Sequence, residues 1–110
     1  MVKISILYPN LPGSRFDFPY YVEKHMPRSI ELLGAHPGFR GVSVEKGIGG
    51  AAPGSAATYV AMCHFLFESA DAFMAAFMPH APELQDDIPN YTGVAPIIQI
   101  NEVLISKSGI

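Results

Sequence analysis

Residues 58–67 read TYVAMCHFLF, with no glycine, proline, asparagine or aspartate to turn the chain. Side chains along a strand alternate between its two faces, which puts Tyr59, Ala61, Cys63, Phe65 and Phe67 on one side and Val60, Met62, His64 and Leu66 on the other. Both sides are apolar, so the segment reads as a strand covered on both faces. A chain of 110 residues supplies one layer of helices, which covers one of them. The second face, with His64 on it, needs a partner.

Working outward, GIGGAAPGSAA (47–57) is too small to pack and lacks the Gly-Lys-Ser/Thr ending of a phosphate-cradling loop; it reads as a mobile hairpin connection. Before it, GVSVEKG (41–47) reads as a strand entered through the turn HPGFRG, with Pro37 and Gly38 in the central positions. The opening VKISILY (2–8) alternates, Val2, Ile4, Ile6 and Tyr8 against Lys3, Ser5 and Leu7, and is a further strand. Downstream, Ser69 is placed to cap a helix ADAFMAAFM, PHAPELQDDIPNY is a proline-punctuated connection with room for one short helical turn, and APIIQINEVLI closes the chain as a long strand.

Between the first two strands lies FDFPYYVEKHMP (16–27). Asp17 can cap a helix whose first turn tolerates Pro19, because the missing N–H would have had no intrahelical partner. Phe18, Tyr21, Val22, His25, Met26, Ser29, Ile30 and Leu33 then recur at three- and four-residue steps and form the inner face, with Tyr20, Glu23, Lys24, Arg28 and Glu31 outside. Pro27 predicts a kink or break before the helix continues to Gly34, leaving backbone polar groups free beside His25.

The order strand, helix, strand, strand, helix, strand is the split βαβ arrangement of an α+β, ferredoxin-like βαββαβ domain over residues 1–110: a four-stranded antiparallel sheet with two helices on one face. Composition agrees with a bare opposite face, since 49% of the chain is hydrophobic and only 15% charged. The expected partner is a second copy, giving a homodimer through the open sheet face. Seven basic and ten acidic residues, with no basic run, exclude a nucleic-acid surface. One cysteine, no signal-like start and no apolar run of spanning length point to a cytoplasmic protein with no membrane partner.

The chemistry-bearing residues converge on the 16–27 helix. Tyr21 and His25, four positions apart, have side chains about 5–6 Å apart at Cβ and can share one small ligand. An imidazole in an apolar cleft can relay a proton at a carbon next to a carbonyl, while a phenol holds the resulting oxyanion. The alternative is a structural His25 bonded to a carbonyl that Pro27 frees. Tyr8, Phe18, Val22, Cys63, Phe65, His80 and Tyr91 are the candidate lining of such a cleft, although Tyr8 and Tyr91 also suit core or rim and His80 a solvated loop. Asp86 and Asp87 read as capping or solvated residues. No metal-ligand spacing appears, and neither a metal nor a cofactor is expected.

KISILYPN, FDFPYYVEKHMP, FLFES and DIPNYT together resemble the EthD family, named for ethyl tert-butyl ether degradation, within the dimeric α/β barrel proteins. The most specific part is YYVEKHMP, supported by the acidic residue and tyrosine of DIPNY. Arg28 stands where such families commonly carry leucine, and the 47–57 loop is longer than usual. The resemblance implies two sheets packed back to back and a helix-to-sheet cleft in each subunit. It also implies a small apolar, aromatic or polyketide-like ligand. Cofactor-independent cyclisation, dehydration or isomerisation would then run through His25 as acid or base, with Tyr21 orienting it. The alternative it allows is a non-catalytic accessory or ligand-binding protein serving an oxygenase or a degradation pathway.

Overall fold

The two-faced alternation of 58–67 becomes the inner strand β3 (Tyr59–Phe67) of an antiparallel sheet. The structure is a computed structural model that describes residues 1–109. β3 pairs with β1 (Val2–Pro9) on one side and with β2 (Phe39–Lys46) on the other, and β4 (Ile97–Glu102) adds to the far edge of β1, giving the order β2-β3-β1-β4. Register fixes the faces: Ile4 lies opposite Phe65, Ile6 opposite Cys63 and Tyr8 opposite Ala61, all on the side that the helices cover. This is the α+β, ferredoxin-like architecture: a four-stranded antiparallel sheet with the helices on one face.

The helical layer consists of α1 (Phe18–Tyr20), a π-helical turn (Tyr21–His25) and α2 (Met26–Gly34), then α3 (Ala70–Phe77) and α4 (Ala81–Asp87). Two caps form as their residue types predict: Asp17 accepts from the Tyr20 N–H at 3.1 Å and Ser69 from the Ala72 N–H at 3.1 Å. The turn before β2 packs closely on α3, and at Gly38 a Cβ would stand 2.7 Å from the Ala72 Cβ, so only glycine fits.

Three expectations are corrected. The helix does not break at Pro27. The turn ahead of it widens, so that the Met26 N–H donates to the Tyr21 carbonyl five residues back, and Pro27 falls in the first turn of α2, where a missing N–H costs least. Residues 79–91 hold more helix than one turn: α4 is flanked by 3₁₀ turns at Met78–His80 and Ile88–Asn90. Pro79, Pro82 and Pro89 each fall in the first positions of one of these segments, so prolines that look like breakers are starts. The last strand is shorter than 95–105 and ends at Glu102.

Beyond it, the Val103 N–H donates to the Met1 carbonyl at 3.0 Å. Among the described residues, no helix is long and apolar enough to cross a membrane.

The sheet face away from the helices carries Leu7, Val60, Met62 and Leu66, and a line of polar side chains crosses it. Glu45 on β2 meets His64 on β3 at 3.1 Å, His64 meets the Ser5 hydroxyl on β1 at 2.8 Å, and Asn101 of β4 donates to that hydroxyl at 3.1 Å.

Candidate functional site

Two distant segments are stitched together to build the site. The Asp17 N–H donates to the Tyr91 carbonyl at 2.8 Å, Phe16 and Thr92 form a β-bridge, and Arg15 donates to the Pro89 carbonyl at 2.8 Å. Tyr91 is thereby pressed against the π-helical turn, in a cluster of rings with Tyr8, Phe16, Tyr21 and His25. Tyr21 stacks on His25 with ring centres 5.9 Å apart, and His25 lies 4.6 Å from Tyr91. The wide turn keeps Tyr21, His25 and Met26 on the buried side together.

His25 is 7% exposed and both its ring nitrogens have partners. Nδ1 lies 2.9 Å from Asp87 Oδ2; an ionised carboxylate only accepts, so Nδ1 carries the proton and Nε2 presents its lone pair. The Tyr91 hydroxyl donates to Nε2 at 3.3 Å, and the Tyr8 hydroxyl, 2.6 Å from that of Tyr91, continues the chain inward. Outward, Asp87 accepts from the Tyr20 hydroxyl at 2.6 Å and from the Asn90 amide at 2.8 Å. A continuous row, Tyr8, Tyr91, His25, Asp87, Tyr20, thus runs from the core to the surface.

Burial lowers the His25 imidazole below its ordinary value, and the hydrogen bond and charge of Asp87 offset this only in part, so the ring is neutral at pH 7. Burial by itself would raise Asp87, but hydrogen bonds from Tyr20, Asn90 and His25 outweigh it and leave the carboxyl below its ordinary value. Burial pushes the Tyr8 phenol up to about 12 and raises those of Tyr21 and Tyr91 as well. These phenols act as neutral donors. Cys63, raised by burial to about 12, is an inert thiol.

His25 forms the wall between two spaces. Inside lies an apolar cavity of about 60 Å³, lined by Tyr8, Tyr21, Cys63, Phe65 and Phe73 among others. Outside, between the π-helical turn and residues 83–90, lies an open basin of about 520 Å³ edged by Tyr20, Lys24, Arg28, Glu83 and Asp87. At its edge Arg28 bonds both Glu83 and Glu31. Among the described residues no cluster of three His, Cys, Asp or Glu is placed to hold a metal ion.

The structure therefore brings together Tyr8, Tyr21, His25, Cys63, Phe65 and Tyr91. It does not bring in Phe18, which packs on Phe16 under the Lys46 ammonium, or His80, which borders neither space. Val22 is corrected outright: it is 55% exposed, because the wide turn rotates it off the inner face. The structural alternative for His25 also changes form, since its nitrogens bond side chains, and the hydroxyl of Ser29 donates to the His25 carbonyl at 3.0 Å. Sequence reasoning missed Asp87 and Tyr20. The signal was present in DIPNY, which opens on Asp87.

The EthD domain family model matches residues 14–95, which spans the π-helical turn, Asp87 and Tyr91. This chain belongs to the EthD family. An EthD-like protein from Ralstonia eutropha JMP134 is 42% identical, its crystal structure covering 97% of this chain and 95% of its own with a TM-score of 0.89. An ethyl tert-butyl ether degradation family protein from Bacillus halodurans C-125 is 22% identical, with 94% and 99% covered and a TM-score of 0.68. The fold extends to SnoaB, a cofactor-independent oxygenase from Streptomyces nogalater, at 14% identity, 96% and 93% coverage and a TM-score of 0.56. No curated protein matches the EthD chain.

Proposed function

We propose that this EthD protein binds a small, largely apolar molecule in the cavity inside His25 and that His25 moves a proton to or from it without a cofactor. The observation that carries this reading is the buried, neutral His25 held in one tautomer by Asp87, with its Nε2 lone pair turned to the core side, where only the long 3.3 Å bond from the Tyr91 hydroxyl must yield for it to take a proton. A base fixed this way by a carboxylate is oriented before the ligand arrives, and the imidazolium it forms is stabilised by the same carboxylate. Tyr21 supplies the donor for an oxyanion. The row through Asp87 and Tyr20 gives the proton a route to the open basin on the far side of His25 from the ligand.

The chemistry that fits is enolisation at a carbon beside a carbonyl, the shared step of cyclisation, dehydration and isomerisation. Incubating the purified protein alone with aromatic polyketide-like ketones tests it. Conversion supports catalysis, whereas saturable binding without conversion favours an accessory protein that presents its ligand to an oxygenase. A second copy on the open sheet face belongs to the same reading, since Leu7, Val60, Met62 and Leu66 need cover.

A further inference from the structure

The inner cavity has a short polar inventory. Among the described residues, its wall includes no lysine, arginine, aspartate or glutamate. Tyr8 and His25 are engaged with Tyr91 and Asp87, and the Ser29 hydroxyl is spent on the His25 carbonyl. The Tyr21 hydroxyl is different. Tyr21 is 1% exposed, lines the cavity, and its oxygen is bonded by no other described residue. A buried donor of this kind is matched when a ligand brings the acceptor.

Size sets the second limit. An apolar cavity that accommodates benzene measures about 150 Å³. The space here, about 60 Å³, holds a small group rather than a ring. Its exposed lining residues, Gln85 and Ile98, mark the mouth, and Ile98 (51% exposed) and Ile100 (45%) continue as an exposed apolar track along the helix side of β4.

From these observations, and resting on the function proposed above, we infer that the cavity receives the neutral carbonyl end of a ligand, a ketone, ester or lactone, head first. The carbonyl oxygen accepts from Tyr21, the apolar remainder leaves through the mouth along Ile98, and carboxylates are excluded. A carboxylate would shed its hydration for one neutral hydroxyl with no cation nearby, whereas a ketone has only one hydrogen bond to replace.

Titrating the full-length protein at pH 7 with 2-octanone and with octanoate, followed by NMR of Ile6, Phe65 and Ile98, tests this. The ketone should shift all three and bind at least about ten-fold more tightly than the carboxylate. Tyr21→Phe, which keeps the ring packing, should weaken the ketone about three- to ten-fold and leave octanoate unchanged. Octanoate binding as tightly as the ketone overturns the neutral-head inference while leaving the cavity a ligand site, and undiminished ketone affinity in Tyr21→Phe overturns the pairing with Tyr21. If neither compound reaches Ile6 and Phe65 at millimolar concentration, the proposed function falls with the inference.

Discussion

His25 is held between unlike partners, a carboxylate on the solvent side and phenols on the core side, and its titration reports on both. Because its folded value lies below the ordinary 6.5, the unfolded chain takes up this proton first, and stability falls as the pH drops from about 6.5 towards the folded value. Thermal melts between pH 7.5 and 5 should show this loss, and His25→Gln should flatten it. Asp87→Asn removes the group that raises His25, so NMR titration should find the imidazole lower still, with the acid limb of any activity moved to lower pH. Tyr21 offers an opposite test. Its hydroxyl is bonded by no other described residue, so Tyr21→Phe should leave the ligand-free protein as stable or more stable by up to about 1 kcal/mol, about 4–8 °C in melting temperature. The pairing of Tyr21 with His25 could be read from helical spacing. Asp87 could not, because its contact spans 62 positions and depends on how α4 packs.

At the scale of elements, the helix carrying His25 turns on Pro27. With no N–H, Pro27 cannot close an α-helical bond to the Glu23 carbonyl, and the chain widens into the π-helical turn that stacks Tyr21 on His25. Pro27→Ala restores that donor. The regular helix should then compete with the wide turn, so the Tyr21 and His25 ring signals should shift while overall helix content by circular dichroism stays nearly constant. Periodicity and the caps at Asp17 and Ser69 were legible from residue types, because they depend only on local chemistry. The extra residue in the wide turn, which exposes Val22, was not. Nor was α4, where Pro82 reads as a breaker unless the helix start is known.

In the whole molecule, the four-stranded antiparallel sheet followed from the succession of elements along the chain, and the two-faced β3 was legible because a period of two leaves no choice of face once one side is buried. The open face mixes apolar side chains with the Glu45–His64–Ser5–Asn101 line, which would offer the proposed second copy both area and a register. Sedimentation at micromolar concentration should find a dimer, and Met62→Asp should drive it to monomer or aggregate; a well-folded wild-type monomer would refute the seam.

Proton movement by His25 at a carbon beside a carbonyl held in the cavity would be read out by deuterium uptake. 2-Octanone is incubated in D₂O with wild type and with His25→Ala, each normalised to its folded fraction, and label at the carbons flanking the carbonyl is read by mass spectrometry. Exchange should be accelerated by wild type and slowed about 10²–10⁴-fold in the variant. No acceleration by wild type, or equal acceleration by His25→Ala, would show that His25 moves no proton there.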